Sequence, residues 1–63
     1  MKKYILLEDK VGDLFEISRC KTLKEAVRVA KAEAIARVNT IYVLYDKKDS
    51  SSEIGFDPEG SQI

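Results

Sequence analysis

Cys20 is the only thiol in this 63-residue chain, and Arg19 and Lys21 flank it. Neighbouring cations lower a thiol's pKa and favour the nucleophilic thiolate. Nucleophilic catalysis also needs a base to take the proton, and the chain has no histidine. Its acidic residues are dispersed, and no glycine-rich loop follows a strand to cradle phosphate. The residue types therefore point to a non-enzyme in which Cys20 is a small, half-buried apolar side chain. One cysteine excludes an intrachain disulfide, and a zinc site would have to combine one thiol with carboxylates, so no metal and no cofactor are expected.

The second chemistry on offer is electrostatic. Lys24, Arg28 and Lys31 recur at four- and three-residue spacings, with Arg19 and Lys21 just before them. On a helix the three share one flank, and five cations could track a phosphate backbone. Against this, eleven basic residues balance eleven acidic ones, so no net field draws in a polyanion. Nucleic-acid binding through Arg19, Lys21, Lys24, Arg28 and Lys31 is the alternative function, and a solvated helix face is the simpler account of the stripe.

Those cations need a helix, and the sequence supplies one. Thr22-Leu23-Lys24-Glu25 is a capping box, in which the Thr22 hydroxyl accepts from the Glu25 amide and the Glu25 side chain reaches back to the Thr22 amide. At about 100° per residue, Leu23, Ala26, Val27, Ala30, Ala34 and Val38 gather on one arc, to be covered by a sheet. Val29, Ala32 and Ala36 fall on the far side, and Asn39 suits the left-handed position that ends a helix. Before the helix, Lys3–Leu7 reads as an apolar strand, 8–13 as a hairpin loop and Leu14–Arg19 as an amphipathic strand. After it, Thr40–Tyr45 is apolar on both faces and reads as an interior strand. A polar loop over 46–52 leads to a short strand at Ile54 and Phe56, closed by the turn Asp57-Pro58-Glu59-Gly60.

The order β-β-α-β-β implies an α+β domain over 1–60, with residues 61–63 as a frayed tail. Strands apolar on both faces belong in the middle of a sheet and amphipathic ones at its edges. That gives a mainly antiparallel four-stranded sheet in the order 2-1-3-4, with one helix on one face. The sides of the edge strands that carry Phe15, Ile17, Ile54 and Phe56 are expected beneath the helix. The other face of the central strands stays open. It shows Tyr4 and Leu6 with Tyr42 and Leu44, the preferred register, or Ile5 and Leu7 with Ile41, Val43 and Tyr45. Either choice leaves a patch of several hundred Å² on the order of the largest that monomers expose.

The segment from Gly12 to Ala30, with Thr22, Glu25, Ala26 and Ala30 carrying most of the likeness, resembles HicB-like antitoxin domains and small bacterial β-β-α-β-β domains. It spans about a third of the chain, and the Pro-Asp-Leu-Pro-Gly segment typical of HicB-like chains before the cysteine is absent. The resemblance implies toxin neutralisation and assigns no site. A core of this size supplies only about 3–5 kcal/mol, and oligomerisation or a permanent partner is the remaining route to stability. The apolar run Tyr4-Ile5-Leu6-Leu7 stops at Glu8, too short for a signal peptide or a membrane span, so a cytoplasmic protein is expected. The reading is a non-enzymatic interaction or accessory regulatory module, a homodimer or the binder of a protein partner through Tyr4, Leu6, Tyr42 and Leu44.

Overall fold

Two left-handed residues make the first hairpin tighter than its polar composition suggests. The computed structural model describes residues 3–45 and 53–63, so the polar loop expected at 46–52 lies outside the described residues. Strand β1 runs Tyr4–Lys10 and β2 Asp13–Cys20. The loop expected at 8–13 shrinks to Val11 and Gly12, whose φ angles of 52° and 89° give the primed turn that matches strand twist. Pairing then runs to the ends of both strands, with Lys10 opposite Asp13, and the Gly12 amide donates to Asp9 Oδ1 at 3.0 Å. A β-branched residue is strained at positive φ, and Val11 is fully exposed. Val11→Asn is therefore expected to stabilise the fold by about 1 kcal/mol, seen as a higher urea midpoint at unchanged slope.

Leu6 faces Ser18 while Leu7 faces Glu16, so Ile17 is an extra residue, a β-bulge in β2. Residues three apart in a regular strand lie on opposite faces. Across the bulge Glu16 and Arg19 share one, and the guanidinium donates to both carboxylate oxygens at 2.8 and 3.1 Å.

Helix α1 spans Leu23–Arg37. Thr22 caps it as expected, accepting from the Glu25 amide at 3.2 Å, but the Glu25 carboxylate takes the Lys21 amide, one residue before the cap. The left-handed terminal position falls on Val38 (φ 54°), not on Asn39, and the amides of both donate to the Ala34 carbonyl. Ala26, Ala30 and Ala34 are buried and bring the helix backbone close to the sheet. The covered stripe is centred differently from the expected arc: Leu23 and Val38 at the helix ends are exposed, while Val29 packs partly against the core. With alanines in the middle, the valines on both shoulders, Val27 and Val29, reach the sheet.

Strand β3 spans Ile41–Tyr45 and β4 Glu53–Phe56. The sheet order is β2-β1-β3-β4, and all three pairings are antiparallel. Leu6, Cys20, Ile41, Val43 and Phe56 form the core with the three alanines. Ile17 and Ile54 pack partly against it as expected, whereas Phe15, near the far end of β2, is half-exposed with Lys10 over its ring. Nor is the end of the chain the frayed tail expected. Asp57 Oδ1 accepts from the amides of Glu59 and Ser61, both at 2.9 Å, and closes a turn that seats Gly60 against Ile35. Gln62 then bridges to Phe56, and the Ile63 amide donates to the Gly55 carbonyl at 2.8 Å. Local side-chain bonds from Asp57 supply the direction that the composition alone does not show.

Candidate interaction surface

Directly opposed residues in an antiparallel ladder point to the same face of the sheet. Tyr4 opposes Tyr45, Leu6 opposes Val43 and Glu8 opposes Ile41, and all six lie on the helix side. The intervening residues, Ile5 opposite Leu44 and Leu7 opposite Tyr42, form the open face. The expected contact set is thus half corrected. Tyr42 and Leu44 do lie on the open face, but Leu6 is 0% exposed in the core, and Tyr4 packs against Tyr45 with ring centroids 5.1 Å apart. Leu6 and Leu44 cannot share a face, because Leu44 is opposite Ile5. On the open face the places of Tyr4 and Leu6 are taken by Ile5 and Leu7, which belong to the other register.

Two rows cross this face. The first reads Arg19, Ile5, Leu44, Glu53 from β2 to β4, and the second Glu16, Leu7, Tyr42, Gly55. The four central side chains are half-buried, screened by one another and left partly to solvent. Gly55 is itself covered by a neighbour: a Cβ there would stand 3.0 Å from the Tyr42 ring and 3.5 Å from Ile63. The tyrosine leans across the glycine, filling the place of the missing side chain, and Ile63 extends the apolar row past β4. Arg19 holds the Glu16 carboxyl below the usual carboxylate range, so that rim is a paired plus and minus at neutral pH.

At one end of the sheet lies a buried carboxylate. Glu8 is 2% exposed, yet the sequence places it in a run of polar residues that reads as loop. Its Oε2 accepts from Asn39 Nδ2 at 2.7 Å and its Oε1 from Arg37 Nη1 at 2.9 Å, while Lys10 Nζ stands 3.9 Å away. The Asn39 hydrogen bond most of all, with Arg37 and Lys10, holds this carboxyl below its ordinary range against the opposing push of burial. Arg37 is fixed in turn by Glu33 at 2.6 Å. With both oxygens hydrogen-bonded and the residue almost fully buried, Glu8 joins the end of β1 to the end of the helix. Its chemistry is structural.

The five candidate phosphate-contacting cations do not form one track. Arg19 lies on the open face opposite Ile5, whereas Lys24, Arg28 and Lys31 are on the outer surface of the helix, across the thickness of the sheet. Lys31 Nζ sits 5.9 Å from the centre of the Phe56 ring, and Lys24 and Arg28 line a shallow depression with Thr22 and Glu25. Lys21 is exposed between strand and helix. Cys20 is buried in the core, not half-buried as expected. Among the described residues, no three of the metal-ligating types gather, and no helix is long and apolar enough to cross a membrane. No protein-family model, curated protein or solved structure matches the chain.

Proposed function

We propose that this chain is a non-enzymatic interaction module that self-associates as a homodimer through the open face of its sheet. The observation that carries the reading is the contiguous half-exposed cluster of Ile5, Leu7, Tyr42 and Leu44 on both central strands, opposite the face that α1 covers. Burying such a cluster against a second copy removes apolar area from water at roughly 25 cal/mol per Å², a useful gain for a core in which, among the described residues, three of the eight buried hydrophobic ones are alanines. Neutralisation of a toxin, which the resemblance to HicB-like domains implies, is one task such a module performs. Light scattering across micromolar concentrations tests the reading: a mass rising to twice that of the chain supports it, and a constant monomer mass rejects it.

Nucleic-acid binding is the second reading, on a smaller footprint than the sequence suggests. Lys24, Arg28 and Lys31 form no ion pair with any carboxylate among the described residues and share one helix flank. Retardation of RNA or DNA that weakens steeply with salt would support it.

A further inference from the structure

Of the two rows on the open face, the first ends in opposite charges at its two edges. The first row carries a cation, Arg19, on β2, two apolar side chains in the middle, and an anion, Glu53, on β4. A row of this kind complements its own reversed copy. We propose that two copies stack open face to open face about a two-fold axis parallel to the strands, so that Arg19 of each meets Glu53 of the partner subunit. This rests on the reading that the open face is the self-association surface, and adds the orientation and the charged contacts that set it.

A two-fold axis lying between the sheets along the strands exchanges left and right without exchanging rows. Strand β2 then lies over the partner's β4, and β1 over the partner's β3. In the first row Ile5 meets the partner's Leu44, and the rim charges pair at both edges. In the second, Leu7 meets the partner's Tyr42, and Glu16 lies over the partner's Gly55, across which that subunit's tyrosine ring leans. Facing sheets pack about 10 Å apart, a gap that arginine and glutamate at the rims can span between them. The aligned arrangement is also the common way for twisted sheets to stack.

The other in-plane axis, across the strands, exchanges the two rows and lays β2 over the partner's β2. It would offer Arg19 the partner's Glu16, repeating a contact that Arg19 already makes within its own strand at 2.8 and 3.1 Å. It would also leave Glu53 over glycine, and no cation pairs with Glu53 among the described residues. The axis along the strands gives Glu53 a cation. Arg19 keeps its existing contacts, Glu16 among them, since a guanidinium has five donors.

The test mixes two charge reversals. Arg19→Glu and Glu53→Arg are made separately, shown to be folded by circular dichroism, and examined by sedimentation alone and in equimolar mixture with the wild type as reference. Each single variant places like charges together at both rims, and its self-association is expected to weaken on the order of tenfold or more. The mixture recovers the dimer, because each heterodimer regains both attractive contacts. Should Arg19→Glu unfold against Glu16, the double variant E16R/R19E, which keeps the in-strand pair with its signs reversed, takes its place in the mixture. If E53R dimerises as well as the wild type and mixing adds nothing, the proposed axis is wrong while the open face can still be the interface. A wild type that stays monomeric overturns the proposed function, and this inference with it.

Discussion

Leu44→Lys is expected to leave the chain folded and to abolish the proposed assembly through the open face, whereas Leu6→Lys is expected to unfold the chain. The two leucines are in adjacent strands and of equal size, and the expected difference comes entirely from the face each occupies. Leu44 lies on the open face, half-exposed, where a lysine can lay its methylenes along the sheet and keep its ammonium in water. Assembly through that face would have to desolvate two such charges, one from each copy. Leu6 is 0% exposed among Val43, Ile41 and the helix alanines. An unpaired charge there costs several kcal/mol, as much as the roughly 3–5 kcal/mol that a single core of this size supplies. Circular dichroism and sedimentation of both variants read the outcome. A folded, monomeric L44K beside an unfolded L6K is expected, and a dimeric L44K would move the interface off the open face.

Glu8→Gln is expected to lower the thermal midpoint at pH 7 more than any other single amide-for-carboxylate exchange among the described residues. Both Glu8 oxygens accept hydrogen bonds, from Arg37 and from Asn39. Glutamine replaces one acceptor with an NH2 group, which sets a donor against a donor in a site nearly closed to water. Because the folded carboxyl titrates below its ordinary value of 4.5, its contribution is fully present above the unfolded pKa. It is lost as pH falls through the folded one. The gap between wild type and E8Q should therefore be constant at neutral pH and narrow progressively below about pH 4.5. Thermal melts from pH 7 down to pH 3 measure it. A gap that widens on acidification would mean that Glu8 is protonated in the fold.

The elements themselves were legible in the sequence because each has a local cause. The capping box at Thr22 marks the helix start, alternation marks β2, and the doubly apolar runs in β1 and β3 place those strands inside the sheet. Sheet order follows from these, since only the order 2-1-3-4 buries both doubly apolar strands while keeping both hairpins local. The turn at Val11 and the helix end at Val38 were harder to read. Valine is among the residues least suited to positive φ, and the strain at both positions is imposed by the hairpin pairing and by the helix terminus.

Which side chains share the open face was decided by tertiary structure alone. Residues Ile5, Leu6 and Leu7 are all apolar, as are all five residues of β3, so neither strand's composition tells which parity faces inward. Their mutual register is set by contacts between segments more than thirty residues apart, with Leu6 opposite Val43. Packing against the alanine stripe of α1 then selects the inward set. The same distance hid the Glu8 site, whose partners Arg37 and Asn39 lie 29 and 31 residues away. Periodicity in a sequence reports how often a chain turns a side chain inward. Only long-range pairing supplies the phase, and in this chain the phase determines which leucine is core and which is surface.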